Sequence, residues 1–153
     1  MPLASHDDTE IEHVEQARQE RIAISEFPTT VAAARTARAA GIDIVMGGPN
    51  LVKGGSHSGN VSAAELAQLD LLDIFSSDYV PASLLQSAFL LRDTVGWSLP
   101  KAVNTITRNP AHAIGLTDRG ELLPGLRADL IRVKMSGAMP IVRGAWHMGE
   151  RAF

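Results

Sequence analysis

The sequence predicts an α/β fold in which a parallel sheet is followed by a small β segment. Three short apolar runs, at residues 22–27, 42–46 and 71–75, have the length and the β-branched or aromatic content of buried strands. Stretches with helical spacing separate these runs, and strands that alternate with helices are typical of βαβ units. From about residue 117 onward the sequence is instead rich in turn residues, which favours short antiparallel strands.

The first two helices are predicted from residues that cap helix ends. Residues 2–5 are predicted to be a short first strand, and Thr9 and Glu12 match a capping box that would begin the helix after it. Thr30 is expected to begin an alanine-rich helix. Gly41 is expected to end that helix, because glycine readily adopts the left-handed conformation found there.

Four further helices are predicted before the turn-rich segment. Ser62 and Glu65 repeat the capping pattern ahead of the third apolar run. Two longer helices are predicted over residues 82–93 and 99–107. Asn109 is expected to cap one more short helix, since a proline follows it at the first helical position.

The chain is predicted to divide at about residue 116. Residues 1–116 carry the alternating strands and helices, and residues 117–153 carry the β-like runs 128–133 and 139–142 between turns. We therefore expect a larger α/β domain and a small β-domain segment.

Composition limits the classes of protein to consider. The 153 residues are 45% hydrophobic and 20% charged, which is ordinary for a globular chain. The net charge of −3 predicts neither nucleic acid nor an anionic membrane as a partner. Cysteine is absent, which excludes disulfides and thiolate metal sites. There is no apolar run of about 18 residues and no basic, apolar leader, so we expect a cytoplasmic location.

Polar residues follow each predicted strand. His6 follows the first, Glu26 ends the second, a glycine-rich segment at 47–60 follows the third, and residues 76–78 follow the fourth. In parallel α/β folds, ligands bind at the carboxyl ends of the strands. The sequence therefore predicts a binding or catalytic site at this edge of the sheet.

His6 and Asp78 are the candidate metal ligands. An imidazole and a carboxylate suit a divalent cation or a water that it activates, although a catalytic zinc site usually takes three protein ligands. Asp7 and Asp8 have an alternative role, because acidic residues before a helix satisfy its open N–H groups. Asp78 could equally be a turn or capping carboxylate.

Residues 47–60 are predicted to form a loop, which contains five glycines, two serines, one lysine and one histidine. Glycines allow several backbone N–H groups to face one anion, and Lys53 adds a charge suited to phosphate. His57 could bind metal, bind phosphate or transfer a proton. The alternative is a surface loop without a ligand. Glu26 could bind a substrate hydroxyl or transfer a proton, or it could simply pair with Arg35.

The motifs together resemble the amidohydrolase superfamily. Residues 109–116 and 118–131 are similar to its C-terminal signature, where the last barrel helix leads into a small β-domain. Five further blocks resemble one branch, the diphosphatase of the carbon–phosphorus lyase pathway in phosphonate catabolism. They are residues 3–8, 26–30, 46–50, 54–60 and 76–81.

The resemblance implies the C-terminal half of a metal-dependent (β/α)8 TIM barrel, with strands five to eight in residues 1–116 and a β-domain segment in residues 117–153. It implies hydrolysis of alpha-D-ribose 1-methylphosphonate 5-triphosphate to the 5-phosphate and diphosphate. His6 and Asp78 would bind a divalent metal such as zinc, manganese, nickel or magnesium, and Asp78 would also take a proton from water. The proposed phosphate and substrate contacts are Lys53, Ser56, His57, Ser58 and Glu26.

We expect the superfamily's first metal-binding motif, a His-x-His or His-x-Asp at the end of strand one, to be missing. Residues 6–8 read His-Asp-Asp, but the resemblance places them at strand five. The similarity begins around strand five, so we expect a truncated chain and assign the hydrolase activity to the full-length form. A half-barrel leaves strand edges unpaired. We therefore expect a homodimer or a missing N-terminal half, with a small phosphorylated molecule as substrate. The alternatives are another amidohydrolase, such as a cyclic amidase or deaminase, and a non-catalytic half-barrel subunit.

Overall fold

Strands and helices alternate through the first half of the chain, as the sequence predicts. The computed structural model describes residues 2–56 and 59–153. The elements in chain order are β1 (Ala4–His6), α1 (Ile11–Gln19), β2 (Ile24–Glu26), α2 (Val31–Ala39), β3 (Asp43–Gly47), α3 (Gly48–Lys53), α4 (Ala63–Gln68), β4 (Ile74–Ser76), α5 (Ser83–Leu90), α6 (Leu99–Asn104), α7 (Arg108–Ala113), β5 (Leu130–Ser136), β6 (Met139–His147) and β7 (Glu150–Arg151).

The first four strands form one parallel sheet in the order β1-β2-β3-β4. Because every strand runs in the same direction, their carboxyl ends lie along one edge. His6 pairs in register with Glu26, and Gly47 pairs with Ser76. This confirms the α/β class with a parallel sheet and brings the predicted polar positions to a common edge.

The core lies between this sheet and its helices. Ile44 on β3, Leu66 on α4 and Leu91 after α5 are fully buried. Ala33, Ala34 and Ala37 of α2 are also fully buried, and their small side chains allow this helix to lie close to the sheet. The Ser87 hydroxyl donates to the Gly48 carbonyl oxygen at 3.1 Å, which joins α5 to α3.

Two of the predicted helix starts are confirmed. The Thr30 side chain accepts from the N–H of Ala33, and α2 begins at the next residue. The Ser62 side chain likewise accepts from the N–H of Glu65 at the start of α4. Gly41 follows α2 with φ +73°, as expected of a residue just beyond a helix end.

The predicted capping box of Thr9 and Glu12 is wrong. Helix α1 begins after Glu10, and the imidazole Nδ1 of His13 accepts from the N–H groups of Thr9 and Glu10 at 3.2 and 3.4 Å. The Thr9 hydroxyl is engaged elsewhere, since it accepts from the hydroxyl of Thr29 at 2.8 Å. The His13 imidazole therefore accepts from backbone N–H groups at the start of α1, a role that the sequence pattern assigned to the side chains of Thr9 and Glu12.

The prediction that residues 47–60 form a loop is wrong for the first half of this segment. Helix α3 occupies Gly48–Lys53, with a proline in its first turn and Gly54 at φ +83° as its end. The prediction that Asn109 caps a helix is also wrong, because α7 already begins at Arg108. The Asn109 amide instead donates to the Asp73 carbonyl oxygen at 2.8 Å.

The two longer predicted helices are present with altered ends. Helix α5 continues into a π-helical turn, Leu91–Val95, which ends at Gly96 with φ +83°. Helix α6 begins after Ser98, whose hydroxyl accepts from the N–H of Lys101 at 3.4 Å.

The three final strands form a separate antiparallel sheet in the order β5-β6-β7, with a bulge between Arg132 and Val133. The β-like runs predicted near the C-terminal end are therefore strands, and they are longer than predicted. Strand β6 contacts α5. Among the described residues, no helix combines the length and apolar character needed to cross a bilayer.

Candidate active site

The residues that leave the strands at the carboxyl edge have an unusual backbone conformation. Asp7, Phe27 and Asp78 follow β1, β2 and β4 with φ of 59°, 58° and 48°. Non-glycine residues in this left-handed region are uncommon and cost about 1–3 kcal/mol each. Hydrogen bonds hold the turns: the Asp7 N–H donates to the Glu26 carbonyl oxygen, and the Phe27 N–H to that of Val45, both at 2.9 Å. Such conformations cluster at functional sites.

His6 lies between two carboxylates at the end of β1. Its Nδ1 is 3.1 Å from an oxygen of Asp7, and its Nε2 is 4.0 Å from an oxygen of Glu26. The Phe27 ring and the imidazole are nearly perpendicular, with a centroid distance of 5.3 Å. In the part of the chain that the structure describes, the ion-pair partner of Glu26 is thus His6 and not Arg35.

Asp8 is buried directly behind this edge. It is 4% exposed, and one carboxylate oxygen accepts from the hydroxyls of Ser5 and Ser25, both at 2.6 Å. Its carbonyl oxygen accepts from the N–H of Thr29. Asp8 therefore joins the turn after β1 to β2 and does not cap α1, which begins after Glu10. The sequence analysis missed this role, since serines on two different strands carry no local pattern.

A cleft of about 280 Å³ opens at the carboxyl edge. It brings together three of the predicted positions, Lys53, Ser56 and Asp78, with Asp7 and Tyr79. A Cβ atom at Gly47 would lie 3.4 Å from an Asp78 carboxylate oxygen, so that carboxylate lies close above the end of β3. His57 and Ser58, the other predicted phosphate contacts, lie outside the described residues.

Lys53 crosses this cleft from the end of α3 to the turn after β4. Its Nζ donates to the Tyr79 hydroxyl at 2.6 Å and lies 5.0 Å from the centre of the same ring. The described residues place no carboxylate within ion-pairing distance of Lys53. Tyr79 was not predicted as a site residue. Its position directly after Asp78 in the sequence was the only available signal.

The assignment of His6 and Asp78 as metal ligands stays a prediction. No group of three or more His, Asp and Glu side chains that could hold a metal occurs within residues 2–56 and 59–153. His6 and Asp78 follow β1 and β4, the two end strands of the sheet. As a set, the described residues therefore do not fit a complete metal centre.

The opposite edge of the sheet carries ion pairs instead. An Arg38 guanidinium nitrogen is 2.8 Å from an oxygen of Asp73, and the Lys101 ammonium is 2.6 Å from an oxygen of Asp70. Burial, and then the Asp73 charge, raise the pKa of Asp43, whereas Arg38 opposes the rise. The hydrogen bond from Lys101 lowers the pKa of Asp70. These contacts join α2 and α6 to the sheet.

The parallel sheet with its polar carboxyl edge is similar to part of the amidohydrolase fold. An amidohydrolase from Thermotoga maritima MSB8 matches with a TM-score of 0.54 and 18% identity, over 91% of this chain and 45% of that one. The crystal structure of an uncharacterized protein matches with a TM-score of 0.68 and 20% identity, over 99% of this chain and 45% of that one. At these identities the likeness concerns the fold alone, and the partial coverage is consistent with a partial barrel.

Sequence comparison identifies a more specific relative, although no family model matches the chain. Alpha-D-ribose 1-methylphosphonate 5-triphosphate diphosphatase of Escherichia coli (strain K12) is 50% identical over 153 residues, which are 99% of this chain and 40% of that protein. Imidazolonepropionases of Deinococcus deserti and a Ruegeria species are 43% and 40% identical over 65 and 60 residues. The resemblance seen in the sequence motifs is thereby confirmed. The chain spans less than half the length of each relative.

Proposed function

We propose that this chain forms part of a cytoplasmic hydrolase that converts alpha-D-ribose 1-methylphosphonate 5-triphosphate to the 5-phosphate and diphosphate in phosphonate catabolism. The similarity to the diphosphatase supports the substrate and extends over nearly the whole chain. The structure supports the chemistry, because a carboxylate and a lysine with no carboxylate partner among the described residues share one cleft. That juxtaposition of Asp78 and Lys53 is the observation on which the proposal mainly depends.

The proposed reaction is the addition of water across a phosphoric anhydride. The water oxygen forms a bond to phosphorus, and the P–O bond that bridges the α and β phosphates breaks with its electron pair leaving on the departing diphosphate. Asp78 accepts the proton that the water loses, as a general base positioned in the cleft. Lys53 neutralises charge on the phosphate oxygens, which is the main requirement of phosphoryl transfer.

The remaining predicted residues have supporting roles in this proposal. Ser56, His57 and Ser58 follow Lys53 and would contact the same phosphates. Glu26, at the end of β2, would bind a substrate hydroxyl, and its 4.0 Å approach to the His6 ring would keep both side chains over the carboxyl edge.

We retain His6 and Asp78 as proposed ligands of a divalent metal, but we assign no reaction step to that metal. A catalytic zinc site typically takes three protein ligands, and the described residues supply fewer in one place. An imidazole with a carboxylate is compatible with zinc, manganese, nickel or magnesium. The additional ligands would come from outside the described residues.

We also propose that β1 pairs with a strand from outside the described residues. Among the described strands, β1 pairs only with β2. The backbone of β4, by contrast, is hydrogen-bonded to the segment just after α6, because the Phe75 N–H donates to the Thr105 carbonyl oxygen at 3.0 Å. A second copy of the chain or an N-terminal half-barrel would supply the missing strand. Light scattering would distinguish a dimer from a monomer.

Product analysis by phosphorus NMR tests the proposed activity. The protein purified from its source is incubated with the ribose 5-triphosphate and with each of the four candidate metals in turn. We expect equal amounts of diphosphate and ribose 1-methylphosphonate 5-phosphate. Single phosphate release, or no release with any of these metals, would contradict the proposal.

A second candidate function is hydrolysis of a cyclic amide. The similarity to two imidazolonepropionases over about a third of the chain favours it. Such a substrate needs no phosphate contact, so the Lys53→Met change should leave its turnover unaltered. The same change should impair a diphosphatase severely.

A further inference from the structure

The Lys53 ammonium and the Tyr79 hydroxyl form an isolated donor pair at the mouth of the cleft. The two residues come from different elements, the end of α3 and the turn after β4, and they meet at 2.6 Å. Tyr79 is 62% exposed and Lys53 is also exposed, so both polar groups can reach a ligand in the cleft.

Hydrogen-bond valency determines what this pair can bind. A lysine ammonium has three donors and no acceptor, and a phenol has one donor together with acceptor lone pairs. When Lys53 donates to the Tyr79 oxygen, that oxygen acts as the acceptor and the phenolic proton remains available. The pair therefore presents the remaining N–H groups of Lys53 and the O–H of Tyr79 to a ligand, so that its donors outnumber the acceptor capacity left on the Tyr79 oxygen.

An acceptor-only anion satisfies all of these donors. A phosphate oxygen accepts charge-assisted hydrogen bonds, which are about twice as strong as those between neutral groups. Two carboxylates, Asp7 and Asp78, line the same cleft and would repel an anion that lay against them. The phosphate group is thus favoured at the Lys53 side, away from these carboxylates or separated from them by a cation.

We propose that Tyr79 binds phosphate directly, as the partner of Lys53 in a two-residue phosphate subsite. This inference rests on the proposed function, since it names the group that holds the substrate's phosphates in the same cleft. Lys53 supplies the positive charge, and Tyr79 fixes the position of the ammonium while donating its own proton to a phosphate oxygen.

Calorimetric titration with tripolyphosphate, in buffer containing magnesium chloride, tests the subsite without requiring turnover. The Tyr79→Phe variant keeps the ring near Lys53 but removes the hydroxyl, and should bind about tenfold more weakly because a hydrogen bond to a charged group is lost. Lys53→Met should weaken binding at least as much. Lys134→Met is the matched control, since this exposed lysine lies on β5 in the other sheet, and it should bind like the unmodified protein.

Equal affinity of Tyr79→Phe and the unmodified protein would overturn the inference, as would a failure of the unmodified protein to bind tripolyphosphate. Both altered side chains are exposed, so we expect the variants to fold. The proposed hydrolase activity is tested separately from the phosphate subsite. Tripolyphosphate binding that depends on Tyr79, in a protein that releases no diphosphate from the ribose triphosphate, would leave the subsite intact and reject the reaction.

Discussion

The buried carboxylate of Asp8 provides a prediction whose size follows from the structure. Ser25 is 1% exposed and donates its hydroxyl to Asp8 at 2.6 Å. A Ser25→Ala change removes this bond while leaving the carboxylate buried with one hydroxyl donor fewer. Loss of a hydrogen bond to a charged group costs about 1.5–3 kcal/mol. At roughly 2–4 °C per kcal/mol for a chain of this size, the melting temperature should fall by about 3–12 °C.

Ser83 is the matched control for this change. It is also 1% exposed, but its hydroxyl donates at 2.6 Å to a neutral acceptor, the carbonyl oxygen of Val80. Ser83→Ala should therefore cost only about 0.5–1.5 kcal/mol. Thermal unfolding followed by circular dichroism would compare the two variants. Equal losses, or a smaller loss for Ser25→Ala, would refute the idea that charge on Asp8 strengthens the link between β1 and β2.

Further predictions concern activity and pH. His6→Ala and Asp78→Asn should each reduce diphosphate release at least a hundredfold without changing the melting temperature by more than a few degrees. A near-normal rate in phosphorus NMR would remove that residue from the active site. The raised pKa of Asp43 means that its carboxylate opposes folding at neutral pH, an effect lost as pH falls through the raised value. Asp43→Asn should thus raise the melting temperature at pH 7, and this gain should disappear below about pH 4. Asp70, whose pKa is lowered by Lys101, should behave oppositely: Asp70→Asn should destabilise at pH 7 and be neutral in acid. Melting curves at both pH values check these assignments. A fall in melting temperature for Asp43→Asn at pH 7, or a rise for Asp70→Asn, would contradict them.

The parallel sheet was predictable because its strands are short, apolar and separated by capped helices. Side-chain caps at Thr30 and Ser62 act within four residues, so the sequence alone indicates them. Helix α3 was not predictable in the same way. Its segment is rich in glycine, and packing against α5, including the hydrogen bond from Ser87 to Gly48, stabilises a helix that local propensity does not favour.

The location of the candidate site could be predicted from the sequence, but most of its side-chain contacts could not. Because the strands are parallel, His6, Glu26 and the segment after β4 lie at one edge of the sheet. This placement does not depend on the contacts of their side chains. The Lys53–Tyr79 contact joins residues 26 positions apart and depends on how α3 and the turn after β4 approach each other. No local pattern encodes that approach.

The proposed function depends most directly on cleavage of the ribose triphosphate in the presence of Asp78. Phosphorus NMR of the protein from its source, compared with its Asp78→Asn variant, measures this. We expect diphosphate and the ribose 5-phosphate to form in equal amounts with the unmodified protein and at least a hundredfold more slowly with the variant. Equal rates for the two proteins, or products other than these, would contradict the assignment.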